Sequence, residues 1–226
     1  MDLDSQYEYW NTEGAQKSFA HPLNIERVRQ WLTRDSRILD FGCGYGRCLG
    51  ELFNAGYRDL IGFDFSPAMI AAAQARFPEM TFQVVDSATI PLPDGSVDGA
   101  LLFSVLTCMP TDAGQRALVN ELHRVLKPRG LLYISDLLLQ TDERNLTRYA
   151  RDERKYGTYG VFDLPEGVTV RHHDPQWIES LTSEFEMVAL DHIEVVTMNA
   201  NPCERLSVVW TLKHSNALNI LAVEIV

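Results

Sequence analysis

Short apolar runs alternate with longer amphipathic stretches between Arg37 and Leu137 of the chain. The β-branched and aromatic runs predict five strands, near residues 37–42, 59–64, 81–86, 97–104 and 130–136. The amphipathic stretches predict helices over about residues 46–55, 67–77 and 112–126. Strands that alternate with helices in this way form a parallel sheet with helices packed on its faces. The pattern therefore predicts an α/β fold.

Turn and cap residues agree with these boundaries. Ser66 followed by Pro67 is a helix N-cap with a first-turn proline, and Gly56 lies where a left-handed C-cap would end a helix. The run Lys127-Pro128-Arg129-Gly130 has proline and glycine where a type I turn prefers them. We expect this run to be a turn that leads into the fifth strand.

The pattern changes after Leu137. A polar helix is predicted at about 142–156, and a hairpin could turn across Glu166-Gly167. Asp174-Pro175 then begins a helix that extends to about Phe185. The last predicted elements are two long strands that suit an antiparallel pair at a sheet edge, near residues 187–198 and 204–213.

Charge and composition narrow the possible partners of this chain of 226 residues. The formal net charge of -11 repels phosphate backbones, so no nucleic-acid partner is expected. The first residues do not form a basic segment followed by an apolar run, and no apolar stretch is long enough to cross a bilayer. We therefore expect neither a secretory signal nor a membrane partner.

The four cysteines, Cys43, Cys48, Cys108 and Cys203, form no CxxC pair and no spacing typical of a metal site. Reduced thiols in a cytoplasmic protein explain them most simply. We expect no metal site.

Three glycines at alternating positions follow the first predicted strand. The run from Asp40 to Gly46 passes from that strand into a helix, and glycine permits positive φ and close approach of a ligand to the backbone. The helix N-terminus behind it presents free N–H groups. A ligand with a nucleoside-like part is expected there, although a purely structural turn is the alternative for such a pattern alone.

Two further acids end the next two strands, Asp64 the second and Asp86 the third. Ligands of doubly wound sheets bind outside the carboxyl ends of the strands, so these acids and Asp40 should converge on one crevice. Asp64 also lies about twenty residues past the glycines, where a carboxylate commonly accepts both ribose hydroxyls. For each acid alone, a strand-end cap or a solvated charge is the alternative.

With these motifs the chain resembles the class I S-adenosylmethionine-dependent methyltransferases, and specifically their small-molecule branch. The resemblance covers roughly residues 36–137 and rests on four segments: Ile38–Arg47, Gly62–Ile70, Asp86–Ala88 with Leu92-Pro93, and Glu121–Gly130. It implies a doubly wound, seven-stranded, mostly parallel sheet with an antiparallel last strand. Arg129 stands where the family more often has glycine, at a turn remote from the expected site.

The resemblance also implies roles for individual residues. The acid before the glycines lies near the methionine part of S-adenosylmethionine, and the turn lines it; these positions are Asp40, Gly42, Cys43, Gly44 and Gly46. Asp64 matches the acid that holds the ribose hydroxyls, and Phe65 matches the residue that stacks near the adenine. Asp86 matches the acid that binds the adenine amino group, and Ser87 and Ala88 match positions that make backbone contacts to the cofactor. Phe103 and Ser104 match the position that faces the methyl-transfer centre.

A Rossmann dehydrogenase that binds NAD(P) is the rival interpretation. It would share the strand, the glycines and Asp64, but its fingerprint requires glycines equivalent to positions 42, 44 and 47. Position 47 is arginine. The chain is also short for a dinucleotide domain plus a substrate domain, so the sequence favours the methyltransferase.

Methyl transfer from a sulfonium needs positioning more than it needs an acid or a base. If a base is used, His172 and His173 are the candidates, because they precede Asp174-Pro175 in the segment expected to cover the substrate. Neighbouring strand residues point to opposite faces, so at most one should face the substrate, and a structural role stays open for both.

Two further groups of side chains each leave two interpretations open. One is a basic stripe at helical spacing that would bind an anionic substrate or a partner, or would simply be solvated: Arg144, Arg148, Arg151 and Lys155. The other is an aromatic group that would form a water-excluding lid or ordinary packing between the two flanks: Tyr7, Tyr9, Trp10, Tyr149, Tyr156, Tyr159 and Phe162.

We therefore predict a single-domain methyltransferase that binds S-adenosylmethionine and releases S-adenosylhomocysteine. Four parts are expected: an N-terminal helical cap, a cofactor-binding core, a substrate-cap insertion, and a C-terminal helix with edge strands, at residues 1–35, 36–137, 138–174 and 175–226. The acceptor is expected to be a small molecule and the protein a monomer or homodimer. The alternatives are a non-catalytic cofactor-binding module and a protein or nucleic-acid methyltransferase.

Overall fold

The structure is a computed structural model that describes residues 3–4, 6–19, 21–86, 88–197, 199 and 201–213. One predicted contact residue, Ser87, and the apolar tail from Ala217 to Val226 lie outside the described residues.

Seven strands form one sheet in the order β3-β2-β1-β4-β5-β9-β8. Strands β1 to β5 pair in parallel, whereas β9 is antiparallel to both of its neighbours. The predicted fold class, with its antiparallel last strand, is therefore confirmed. The strands are β1 Ile38–Phe41, β2 Leu60–Asp64, β3 Thr81–Val84, β4 Val97–Phe103, β5 Leu126–Leu137, β8 Phe185–Val196 and β9 Pro202–Leu212.

The predicted hairpin across Glu166-Gly167 is present outside the main sheet, where β6 (Val161–Asp163) pairs antiparallel with β7 (Thr169–Arg171). Helices connect and cover the strands, and no helix of the described residues is long and apolar enough to cross a membrane. The helices are α1 Tyr7–Asn11, α2 Ile25–Trp31, α3 Arg47–Asn54, α4 Pro67–Arg76, α5 Asp112–Val125, α6 Glu143–Tyr156 and α7 Pro175–Leu181.

Local signals set the helix ends. The Ser66 hydroxyl accepts a hydrogen bond from the Met69 N–H at the start of α4, as a cap residue should. Helix α7 ends at Leu181, earlier than predicted, because Phe185 already begins β8. Helix α2 begins at Ile25, where the Asn24 side chain accepts a hydrogen bond from the Arg27 N–H.

The expected turn at Lys127–Gly130 is instead an irregular beginning of β5. The pairing register shifts between Val97 and Gly99 on the neighbouring strand, and Arg129 has a φ of 66°. That left-handed conformation explains why glycine suits this position. Gly130 cannot carry a side chain, because a Cβ there would lie 2.8 Å from the Lys127 carbonyl oxygen.

Apolar clusters cover both faces of the sheet. Leu39 and Phe41 of β1 belong to one cluster and Ile38 to the other, as expected for a strand buried on both sides. A third cluster joins the N-terminal segment to the segment after β5, and its members are Tyr9, Tyr149, Phe162, Val168 and Val170. Ordinary packing therefore accounts for three of the seven aromatic residues that the sequence offered as a lid.

Candidate functional site

The glycine turn connects β1 to α3, and two of its glycines, Gly42 and Gly44, have different structural roles. Both have positive φ, 72° at Gly42 and 54° at Gly44. A Cβ on Gly42 would lie 2.4 Å from Val105 Cγ2, so this glycine is required for packing. A Cβ on Gly44 would meet nothing closer than the Met69 sulfur at 3.9 Å. Gly44 therefore leaves open space beside the backbone, where a ligand can approach.

Asp64, at the end of β2, braces this turn. One carboxylate oxygen accepts a hydrogen bond from the Gly44 N–H and the other from the Ser66 N–H, each at 2.8 Å. Burial raises the pKa of Asp64, and these backbone donors oppose that rise by favouring the charged form. The carboxylate keeps lone pairs that can accept further hydrogen bonds from a ligand.

Asp40 is buried with an unsatisfied oxygen. The residue is 1% exposed, and its Oδ1 has no hydrogen-bond partner. Burial raises the pKa of Asp40 to about 7, although the nearby Arg47 guanidinium lowers it. A buried carboxylate oxygen without a donor is costly, which points to a ligand that supplies one.

A cavity opens beside the turn, with about 860 Å³ of empty space that includes its open mouth. Three carboxylates, from Asp4, Asp40 and Asp64, and one guanidinium, from Arg47, line it. Eight of the predicted contact residues are in its wall: Asp40, Gly42, Cys43, Gly44, Asp64, Phe65, Phe103 and Ser104. This first cavity is therefore where the sequence analysis expects the cofactor.

Three other predicted contact residues lie outside the lining of the first cavity. Gly46 is the N-cap of α3, and its Cα faces Phe82 and Phe77. Asp86 is exposed, because β3 ends at Val84 and the chain has already left the sheet. Ala88 packs against the core cluster. Their roles in cofactor binding stay predictions.

A second cavity, of about 840 Å³, adjoins the first. Its wall includes residues from the N-terminal segment, α6, the β6–β7 hairpin and the ends of β8 and β9. The two cavities share five lining residues, Trp10, Phe19, His21, Ser104 and Cys108. Groups bound in the two cavities can therefore meet at this shared wall.

The second cavity carries the opposite charge. Arg144, Arg148 and Arg205 line it, and none of its lining residues within the described chain is an aspartate or glutamate. The basic stripe of α6 is thus divided. Arg144 and Arg148 face the cavity, whereas Arg151 and Lys155 pair with Asp152 and Asp163.

His172 lines the second cavity and is held in place by a tyrosine. The Gln140 N–H donates to the Tyr149 hydroxyl at 3.1 Å, and that hydroxyl lies within hydrogen-bond distance of His172 Nδ1, at 2.6 Å. Burial lowers the pKa of His172 to about 3, assisted by Arg148 and Arg144. The ring is therefore uncharged at neutral pH, and its role as a base stays a prediction.

His173 faces the interior of the protein. It is 1% exposed and lines neither cavity. Its Nε2 lies 3.0 Å from the Gln115 amide nitrogen and its Nδ1 3.1 Å from the Leu137 carbonyl oxygen. Because both ring nitrogens are bonded, the geometry argues against His173 as a general base.

Two residues that line the first cavity, His21 and Arg47, were given no site role from the sequence. His21 lines both cavities, stacks on Phe103 at 5.6 Å between ring centroids, and lies 3.3 Å from an Arg47 nitrogen. Burial lowers the pKa of His21 to about 2. Nothing in the local sequence marks His21. Arg47 had a usable signal, since it is a cationic side chain directly after the glycines.

Comparison with known proteins adds a family to this geometry. A family model described as a methyltransferase domain matches residues 38–130. A demethylmenaquinone methyltransferase of Beutenbergia cavernae is 32% identical over 122 residues, which is 50% of this chain and 49% of that protein. A probable S-adenosylmethionine-dependent methyltransferase of Mycolicibacterium smegmatis is 35% identical over 98 residues, 43% of this chain and 37% of that one. The chain thus spans half or less of the length of these two relatives.

Solved structures share the fold. A crystal structure of an S-adenosylmethionine-dependent methyltransferase from Methanosarcina mazei aligns with a TM-score of 0.80 and 23% identity, covering 86% of this chain and 99% of that one. The alignment extends beyond residues 38–130 and supports the whole seven-stranded architecture.

Proposed function

Because the chain belongs to the class I S-adenosylmethionine-dependent methyltransferase family, we propose that it methylates a small-molecule acceptor. The observation that carries the proposal is the shared wall between two cavities of opposite charge. When bound, the cofactor supplies a methyl group made electrophilic by a sulfonium. The acceptor's lone pair forms the new bond to the methyl carbon, and the electrons of the broken C–S bond remain on the sulfur of S-adenosylhomocysteine.

The residues of the first cavity fit this cofactor. The unpartnered Asp40 oxygen matches the ammonium of the methionine end, and the Arg47 guanidinium matches its carboxylate. Asp64 has lone pairs for the ribose hydroxyls while it holds the Gly44 backbone in place. Phe65, set edge-on against Phe41 at 5.9 Å, offers an apolar surface for the adenine.

Catalysis on this geometry depends on positioning. Holding two reacting groups in near-attack geometry can be worth about 7–11 kcal/mol, without any acid or base. Ser104 has a strained φ of 60°, and its hydroxyl accepts a hydrogen bond from Arg205 at 2.7 Å, so the wall between the cavities is fixed rather than loose. We propose that this wall aligns the acceptor nucleophile with the methyl group.

The capping segments and the cell compartment belong to the same proposal. Arg144, Arg148 and His172 of the expected insertion line the second cavity, which supports residues 138–174 as the acceptor cap. The net charge of -11 favours a small molecule over nucleic acid. All four cysteines, each within the described residues, are unpaired, which supports the cytoplasm as the location.

Asp64→Ala tests the cofactor assignment. We expect its affinity for S-adenosylmethionine to fall about 100-fold, because the variant loses a charged acceptor and the brace on Gly44. Isothermal titration calorimetry measures the affinity, and circular dichroism checks the fold. Asp59→Ala, an exposed acid just before β2, is the control and should bind normally.

Unchanged affinity in Asp64→Ala would refute the role given to this residue. Saturable NAD(P) binding with no response to S-adenosylmethionine would refute the proposed function. Cofactor binding without turnover on a broad acceptor panel would favour the non-catalytic module, and salt-sensitive RNA binding would favour a nucleic-acid enzyme.

A further inference from the structure

The arginines of the second cavity have few partners. Arg144 makes no hydrogen bond among the described residues. Its only ion-pair partner among them is Asp142, whose carboxylate oxygen lies 3.6 Å from the buried Nε. Arg148 makes one long hydrogen bond, 3.4 Å to the Asn145 side-chain oxygen, and its guanidinium lies over the Phe162 ring. Each guanidinium has five N–H donors, so most of those on Arg144 and Arg148 are available to a ligand.

Arg205 is more deeply buried and also lacks a close counter-charge. It is 4% exposed, and it donates to neutral oxygens of Ser104 and Ser135. Within the described part of the chain, no carboxylate oxygen lies within 4.0 Å of Arg205 or Arg148. Burial lowers the pKa of Arg205, and the charge of the more distant Asp136 carboxylate raises it. A buried cation without a close anion is costly unless a ligand supplies one.

The cationic groups converge with His172 on one region. Arg148, Arg144 and Arg205 all lower the pKa of His172, so their charges reach the same ring. His172 itself lines the same wall. Positive charge and N–H donors are thus concentrated in the second cavity of a protein whose formal net charge is -11.

We propose that the methyl acceptor is an anionic small molecule whose carboxylate or phosphate binds Arg144, Arg148 and Arg205. The nucleophilic atom of that molecule would lie at the wall formed by Ser104 and Cys108, where the second cavity meets the first. The inference rests on the proposed function for the identity of this ligand as the acceptor. The anion site itself depends only on the arginines.

The test compares matched probes on matched variants. Thermal-shift measurements, followed by calorimetry, would screen pairs of aromatic carboxylic acids with their amides and pairs of phosphate monoesters with their parent alcohols, with and without S-adenosylhomocysteine. The acids test for a carboxylate ligand, and the esters test for a phosphate ligand. The double variant Arg144→Gln/Arg148→Gln removes two half-buried guanidiniums with little risk to the fold. Arg154→Gln, an exposed arginine of the same helix that lines neither cavity, is the control.

We expect anions to bind and their neutral partners not to bind. The double variant should bind the best anion at least about tenfold more weakly, whereas Arg154→Gln should match the original protein. Affinity for S-adenosylmethionine should stay within about twofold in both variants. The inference is overturned if the neutral probes bind as well as the anions, if no anion binds, or if the double variant binds anions normally.

The two proposals fail in distinguishable ways. Arginine-dependent anion binding by a protein that does not bind S-adenosylmethionine would refute the proposed function and leave the anion site standing. Normal cofactor binding by a protein that ignores every anion would refute the anion site and leave the cofactor assignment standing.

Discussion

The two cavities differ in charge and in how the chain builds them. The first is acidic, with Asp4, Asp40 and Asp64 against one arginine, and two of these acids come from β1 and β2. The second has three arginines and no acid among its described lining residues, and it draws on segments from Trp10 to Arg205. The two cavities thus suit ligands of different charge.

The glycine turn gives the largest expected effects. Gly42→Ala forces a Cβ to within 2.4 Å of Val105 Cγ2 at a positive φ. We expect the free energy of unfolding to fall by about 2–4 kcal/mol. Gly44→Ala meets only open space, so it should cost about 1 kcal/mol of stability, from its φ, while weakening S-adenosylmethionine binding by about tenfold or more.

Denaturant unfolding and calorimetry on the two variants would separate these roles. Equal losses of stability at both positions, or normal cofactor binding by Gly44→Ala, would mean that Gly44 is part of the packing and that the first cavity is not built around close approach of a ligand.

Cofactor binding in the first cavity should depend on pH through the protonation of Asp40. Its pKa is raised to about 7, and a cationic ammonium favours the carboxylate form, so below that pH binding must first remove a proton. Affinity for S-adenosylmethionine should be nearly constant above about pH 8 and fall about tenfold between about pH 8 and about pH 6.

Calorimetry over that range provides the measurement, and Asp40→Asn provides the control, because it binds weakly but should lose this dependence. Asp64 also has a raised pKa and faces the same cavity, so a pH dependence that survives in Asp40→Asn would assign the titration to Asp64 instead.

The smallest effect is expected away from both cavities. Arg129 holds a φ of 66° at the start of β5, and glycine adopts that conformation without strain. Arg129→Gly should raise the free energy of unfolding by about 1 kcal/mol and leave the binding of cofactor and anions unchanged. Chemical denaturation measures this free energy. A loss of stability would show that the contacts of the Arg129 side chain stabilise the fold by more than its backbone strain destabilises it.

The fold and the first cavity were largely predictable because their signals are local. Ser66-Pro67 marks the start of α4, and alternating glycines between a strand and a helix mark a ligand turn. Asp40 and Asp64 followed from the rule that parallel strands present their carboxyl ends at one edge. For Asp86 the rule is less direct, because β3 ends at Val84, two residues earlier, and the role of Asp86 in cofactor binding stays a prediction.

The second cavity was only partly predictable because its residues meet through tertiary packing. The stripe on α6 could be found from its spacing, but which arginines face inward depends on Asp152 and Asp163, which pair with the other two cations. Arg205 lies in an ordinary strand, and His21 lies before a helix. No spacing rule relates those two residues to each other or to α6.

Trp10 gives the two cavities a common optical probe. It lines both of them, whereas none of the other three tryptophans, all within the described residues, lines either. Trp31 is 47% exposed, Trp177 stacks beneath two guanidiniums, and Trp210 is in the core. Intrinsic fluorescence should therefore change when either ligand enters. The order of loading and release can then be followed in real time on the unlabelled protein, before its acceptor is known.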